Sequence, residues 1–404
     1  MSQSVLSGKK FLVVDVETTP GKNEDGHPFD PENRLLFVGL FDGVSRWIFD
    51  IEFSGKPYGD QLREISSIIS GYDVLVAFHA KFDLHWLRRY EINFDNKSIW
   101  DLQYAEYCIS GQTLKLSENS VDKACERYGV EGKLPFDHSQ IGHSLLEWEA
   151  YLTQDLSSEW GLFVCQRERL ADKSGLARLI WYGSQDLKVT ELMEWNGLKY
   201  DIQKSLKIGD QLLEKIVVLD TSLFEICPFP WFNWASPDHV SSILYGGAIG
   251  HLAVEPFTFV YKSGETKEKF RKVTKEIVFP RLVEPLKGSG VKKNINEDKE
   301  AYHRFSTNEG ILRTLKAAGP AKTIINLLLS RRELEKKVGT YYHGIPKLME
   351  TMGWQNELIH SQLNHCVAAT GRLSSSKPNV QNLEKLMRQC VFSRFPLPSQ
   401  ILQG

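Results

Sequence analysis

Asp15 and Glu17 stand one residue apart at the end of the run Phe11-Leu12-Val13-Val14. Apolar, largely β-branched residues that lead into acids read as a buried strand ending at a site. Alternate side chains of a strand share a face, so both carboxylates point one way while Val14 and Val16 pack on the other. Adjacent carboxylates repel unless a cation sits between them. Hard oxygen donors of this kind suit Mg²⁺ or Mn²⁺. A lone Asp-x-Glu is more often a solvated strand end, so the weight rests on what else the chain offers. Asp83 follows the strand-like run Asp73 to Phe78 through His79-Ala80-Lys81-Phe82. Asp155 comes four residues after Tyr151 in the helical stretch Leu145 to Cys165, which places both on one helix face.

The elements that must position these groups alternate. Leu35 to Leu40 and Ser45 to Phe49 read as a hairpin, Gln61 to Ser70 as a helix, and Ser98 to Trp100 as a short strand before Asp101. After about residue 180 the pattern turns helical, with candidates at Leu187–Trp195, Ser205–Phe224 and Ala321–Val338. Ser236-Pro237-Asp238 has the form of a helix start: a capping Ser, Pro at the first position and an acid in the first turn. Residues 254–300 read as a hairpin with a charged, Gly-containing tip whose lysines are mixed with glutamates. Arg331, Arg332, Lys336 and Lys337 crowd the second half of the last helix, where Glu333 and Glu335 offer them ordinary surface partners.

Length and composition bound the class. The chain has 404 residues, 42% of them hydrophobic and 25% charged, with a formal net charge of −2. Two or three folded domains fit that length, and a uniformly basic nucleic-acid binder is excluded. The six cysteines form no C-x-x-C pair; they read as reduced thiols of a cytoplasmic protein without a zinc site. No stretch approaches the ~20 apolar residues of a membrane span.

Asp15-Val16-Glu17, Asp83 and Tyr151-x-x-x-Asp155, in that order, resemble the proofreading 3′–5′ exonucleases of the RNase H-like fold. The resemblance implies two divalent ions, Mg²⁺ or Mn²⁺, held by Asp15, Glu17 and Asp155, with Asp15 bridging. Asp83 would act from outside that set or through water, and Tyr151 would orient the attacking water. Many relatives carry Asn where this chain has His79, so His79 either donates to the site or is structural. Asp101 reads as a supporting or structural acid.

Ala369-Thr370-Gly371-Arg372-Leu373-Ser374-Ser375-Ser376-Lys377-Pro378-Asn379-Val380-Gln381-Asn382-Leu383 resembles the stretch that precedes the catalytic palm motif of family A DNA polymerases, the bacterial polymerase I type. Met193 to Asp201, Phe232 to Pro237 and Ala321 to Tyr342 are similar to the segments leading into and forming that family's thumb. Thr370, Arg372, Asn379, Gln381 and Asn382 are then expected on the DNA. Their donors suit the minor-groove acceptors that all base pairs share. Arg331, Arg332, Lys336 and Lys337 would grip the duplex backbone.

The expected architecture is α/β: an RNase H-like exonuclease domain over residues 1–180, connecting helices and thumb over 181–356, and the start of a palm over 357–404. The family's palm acids and fingers helix do not follow, so DNA synthesis is expected only with palm and fingers that come from a second polypeptide or were cut away from this chain. The absence of a 5′ nuclease domain resembles bacteriophage polymerases. Expected partners are primer-template and single-stranded DNA, with no membrane. Two rival readings are a stand-alone RNA-trimming exonuclease, which has no use for residues 370–383, and a non-catalytic DNA-gripping subunit.

Overall fold

The computed structural model describes residues 5–21, 26–137, 143–291 and 304–395. Compactness divides the chain into Met1–Ser205 with Ile345–Gly404, and Leu206–Gly344.

In the first unit, β1 (Phe11–Thr18), β2 (Leu35–Phe41) and β3 (Arg46–Asp50) form an antiparallel meander. Helix α1 (Gly59–Ser70) leads to β4 (Val74–Ala77), and α2 (Lys81–Arg89) leads to β5 (Ser98–Asp101). β4 lies parallel to β1 and to β5, so the sheet is mixed, in the order β3-β2-β1-β4-β5. β1 reads as a nearly continuous apolar run because both of its faces are covered. Leu12, Val14 and Val16 share a core with Ile65, Ile69, Leu84 and Leu87 of α1 and α2. Phe11 and Val13 face the opposite core.

Helices α3 (Leu102–Ile109) and α4 (Val121–Tyr128) precede α5 (Leu145–Arg169), whose Leu152, Leu156 and Phe163 enter that second core. Ser144 starts α5 with a reciprocal cap. Its hydroxyl accepts from the Glu147 N–H, and the Glu147 carboxylate accepts from the Ser144 N–H. Helix α6 runs over Ser174–Asn196, well beyond the stretch read from the sequence. Its first half buries Ile180 among the small residues Ala177, Gly183 and Ser184, a weak hydrophobic stripe. β6 (Leu198–Tyr200) and α7 (Ile202–Ile226) follow.

In the second unit, α8 (Pro237–Tyr245) has the expected start, with Ser236 Oγ accepting from the His239 N–H. β7 (Gly247–Val260) and β8 (Thr266–Phe279) form a long antiparallel hairpin. β9 (Gly290–Val291) pairs with β10 (Arg304–Phe305). Helices α9 (Glu309–Thr314) and α10 (Gly319–Lys337) then close a core of Leu223, Leu244, Tyr245, Leu312, Ile324 and Leu328.

The chain returns to the first unit after α11 (Gly344–Thr351) begins. β11 (Leu358–Ile359) and β14 (Val391–Phe392) flank β6 in a three-stranded sheet, while β12 (Gln362–Asn364) pairs with β13 (Ser374–Ser376). The strand expected at Gln400-Ile401-Leu402 lies outside the described residues.

Candidate active site

The acids meet where β1 ends against α5. Asp15 lies opposite Gly39 of β2, and α5 crosses directly above that glycine. A Cβ at position 39 would lie 2.9 Å from Leu152 Cγ and 2.9 Å from Leu156 Cδ1. The missing side chain lets the helix approach the strand and brings Asp155 to the end of β1. Ligand oxygens of Asp15, Glu17 and Asp155 all lie within 4.8 Å of one another. Asp83 approaches from the first turn of α2 and is anchored by its Oδ1, which accepts the Val16 N–H at 3.2 Å.

Asp155 is fully buried and Tyr151 nearly so. Phe136 stacks on the Tyr151 ring at 4.5 Å and 28°, which fixes its plane. Burial, helped by Glu17, pushes the Tyr151 phenol upward, so it stays a donor at neutral pH. Burial is also the main force on the acids. It pushes Asp15 up to about 7 against the pull of Lys133, with Asp155 adding to the rise. Glu17 and Asp83 are pushed well above the ordinary carboxylate range by burial and then by Asp15.

Lys133 and Glu159 belong to the site and were not read from the sequence. Lys133 Nζ donates to Asp155 Oδ2 at 2.5 Å and lies 3.4 Å from the Tyr151 hydroxyl. Burial alone would depress this ammonium, but Asp15 and Asp155 outweigh it and hold its pKa above the ordinary value. Lys133 comes from a segment without regular structure, and no periodicity marks it. Glu159 is different: it lies four residues after Asp155, on the face that carries Tyr151, so the helical repeat was a usable signal. It is buried and pushed well above the ordinary range by burial and then by Asp15.

The site fits a divalent cation. Asp15 Oδ2, Asp155 Oδ1 and Glu159 Oε2 are buried without a hydrogen-bond partner. Such orphaned acceptors are costly unless a cation or proton satisfies them. An all-oxygen donor set matches Mg²⁺ or Mn²⁺.

The remaining expected residues lie elsewhere in the structure. Asp101 caps α3 through the Tyr104 N–H at 2.7 Å, and its other oxygen accepts the Ala80 N–H at 2.7 Å. It therefore fixes the entry to α2, the helix that carries Asp83. His79 sits at φ 63° beside a cavity of about 410 Å³ that Lys81 and Glu194 also line. Thr370, Arg372, Asn379, Gln381 and Asn382 are all exposed. Asn379 is engaged locally: its Oδ1 accepts from Ser375 Oγ and from the Asn382 N–H.

In the second unit, Arg331 donates to Asp220 at 2.5 Å and to Glu335 at 2.8 Å, and Arg332 to the Thr307 carbonyl. Lys337 pairs with Glu333 at 3.0 Å. Lys336 is exposed.

Part of the chain outside this site is similar to known proteins. Residues 276–394 match the family model for DNA polymerase family A. DNA polymerase I of Synechocystis is 25% identical over 318 residues, which cover 76% of this chain and 27% of that protein. The thermostable DNA polymerase I of Thermus filiformis is 41% identical over 84 residues, which cover 21% of this chain and 9% of that one. The chain thus spans about a quarter or less of these relatives. A solved structure, the polymerase domain of Pol1 from M. smegmatis in complex with DNA primer-template and dNTP, superposes with a TM-score of 0.63. It covers 95% of this chain and 54% of that chain at 14% identity, a likeness of fold. Among the described residues no helix is long and apolar enough to cross a membrane.

Proposed function

We propose that this chain is the 3′–5′ exonuclease and primer-template-gripping portion of a family A DNA polymerase, with palm and fingers, in cis or in trans, completing DNA synthesis. One observation carries the reading. Asp15, Glu17 and Asp155 bring ligand oxygens within 4.8 Å of one another at a buried strand end, with a protonated Tyr151 alongside.

Asp15, Glu17 and Asp155 would hold divalent metal, with Asp83 supporting them through its bond to the β1 backbone. The metal would activate water and relieve charge on the leaving oxygen of a phosphodiester. The chain's own groups do the rest. Tyr151 donates to and orients the attacking water, which suits a phenol whose pKa is raised. A raised phenol is a poor general base, so positioning is its contribution. Glu159 is buried one helical turn beyond Asp155, where burial and then Asp15 push its carboxyl well above the ordinary range. Thr370, Arg372, Asn379, Gln381 and Asn382 present exposed polar groups to primer-template DNA.

The salt bridge from Lys133 to Asp155 favours one second reading, a non-catalytic DNA-gripping subunit in which an ammonium replaces the metal. The two are separated by degradation of a mismatched primer end with Mg²⁺ or Mn²⁺. Nucleotide-by-nucleotide release from the 3′ end supports the exonuclease. Failure at saturating metal, with DNA binding intact, supports the gripping subunit.

A further inference from the structure

Strands β7 and β8 contribute fourteen residues each to one hairpin, an arm roughly 45 Å long at ~3.4 Å per residue. Its base is tied into the second unit. His251 stacks on Trp231 at 4.2 Å and 3°, and Phe279 packs edge-on against Phe229 and Phe232. The polymerase family match begins at residue 276, so most of the arm lies outside it.

The register sorts the charges that the sequence mixes. Directly opposed residues share a face. Phe259 faces Lys267, Phe257 faces Lys269, Glu255 faces Arg271, and His251 faces Lys275. Within the strands that face carries Lys267, Lys269, Arg271 and Lys275 against one carboxylate, Glu255, which pairs with Lys275 at 2.7 Å, and Glu265 stands across from Tyr261 at the tip. Glu268 and Glu276 fall on the other face with one cation, Lys272, and with Leu252, Val254, Phe270 and Val278.

Aromatic rings lie among these cations. Lys269 Nζ is 3.6 Å from the Phe259 ring centre and 5.4 Å from that of Tyr261, and the Arg271 guanidinium is 5.8 Å from the Phe257 centre. Phe259 and Tyr261 keep 36% and 40% of their surface exposed. Cations at alternate strand positions recur every ~6.8 Å along the face, which makes a regular track of charge. A cationic track with exposed rings beside it is the chemistry that holds unpaired nucleotides: phosphates meet the charges and bases stack on the rings. Duplex DNA hides its base faces and would leave the rings unused.

We propose that this face of the β7–β8 arm binds single-stranded DNA, with Lys267, Lys269 and Arg271 on phosphates and Phe259 and Tyr261 under bases. The choice of DNA as the polymer rests on the function proposed above; the face itself follows from register and charge.

The test is fluorescence anisotropy of the full chain with a fluorescein-labelled oligothymidylate over a salt series, using the Asp15→Ala/Glu17→Ala background to prevent degradation. Lys267→Ala/Lys269→Ala/Arg271→Ala should lower affinity at least ~10-fold and reduce the salt slope by about 2, at ~0.7 per lost phosphate contact. Phe259→Ala/Tyr261→Ala should lower affinity about tenfold with little change in slope, since stacking releases no counterions. Lys267→Arg/Lys269→Arg should bind as the parent does, and circular dichroism confirms that each variant is folded. Leu252→Ser/Val254→Ser, on the opposite face, should leave binding unchanged.

Unchanged affinity and slope in the triple variant overturns the proposal. So does a loss seen only with duplex, or one seen only in the apolar-face variant, which would place the nucleic acid on the opposite face of the arm. The arm variants with Asp15 and Glu17 intact should still hydrolyse a trinucleotide. A chain that hydrolyses nothing yet binds through the arm overturns the exonuclease reading and leaves this one standing.

Discussion

The ammonium of Lys133 sits 2.5 Å from Asp155 Oδ2, inside a cluster of acids that must otherwise share protons or metal. It relieves part of the repulsion among Asp15, Glu17 and Asp155, and it comes from a segment with no regular structure. Lys133→Met should therefore destabilise the chain in the presence of chelator. The expected loss is about 1–3 kcal/mol, below the ~3–5 kcal/mol of a fully buried pair because the lysine remains partly solvated. Mn²⁺ should restore most of it. Equal melting temperatures for parent and variant in chelator would show that the pair contributes nothing.

Asp15→Ala/Glu17→Ala removes two carboxylates from the end of a strand whose core lies behind them. Degradation of single-stranded DNA should fall by at least ~10³-fold, comparable to other losses of transition-state charge stabilisation. Melting temperature should hold or rise, since buried repulsion is removed. A folded double variant that retains the parent rate, free of contaminating nuclease, rules out these residues as the site.

Gly39 admits α5 to the sheet. Gly39→Val forces side-chain atoms into Leu152 and Leu156, at a cost of ~1–3 kcal/mol for overpacking. It should also shift Asp155 away from Asp15, and misplacement of about 1 Å costs ~10²-fold in rate. The expected signature is a fall in kcat with little change in KM. A melting deficit with kcat intact would mean that the helix position is set elsewhere.

Acidity provides a fourth test. Asp15 titrates near 7 in the fold against an ordinary 3.8, so the folded chain keeps a proton that the unfolded chain releases. The stability this supplies is full below about pH 4 and is lost as pH rises through about 7. Glu17 and Asp83, also raised, act in the same direction. In chelator, the melting temperature should fall between about pH 5 and about pH 7.5, and Mg²⁺ should raise it most at the upper end. A melting temperature that climbs with pH in chelator contradicts this account.

The basic cluster of α10 divides by its contacts. Arg331 and Arg332 are held by Asp220, Glu335 and the Thr307 carbonyl. Arg331→Ala should cost about 1 kcal/mol of stability, the range for a partly solvated pair, and leave duplex affinity within about twofold. Changing Arg331, Arg332, Lys336 and Lys337 together to Ala should flatten the salt dependence of primer-template binding. An unaltered slope would assign the cluster to holding the unit together.

The sequence alone determined the local pieces. Apolar residues ending in Asp15 and Glu17 specified a buried strand with both acids on one face. The four-residue step from Tyr151 to Asp155 put those two groups on one side of a helix. Ser236-Pro237 marked a helix start. These rest on periods of 2 and 3.6 and on cap chemistry, which act within a few residues. Tertiary structure decided what those periods do not reach. Lys133 joins the acids from 22 residues before Asp155, Gly39 sets the approach of α5, and the register of β7 and β8 gathers Lys267, Lys269, Arg271 and Lys275 on one face. Contacts between distant segments depend on packing and register, and no local repeat encodes them.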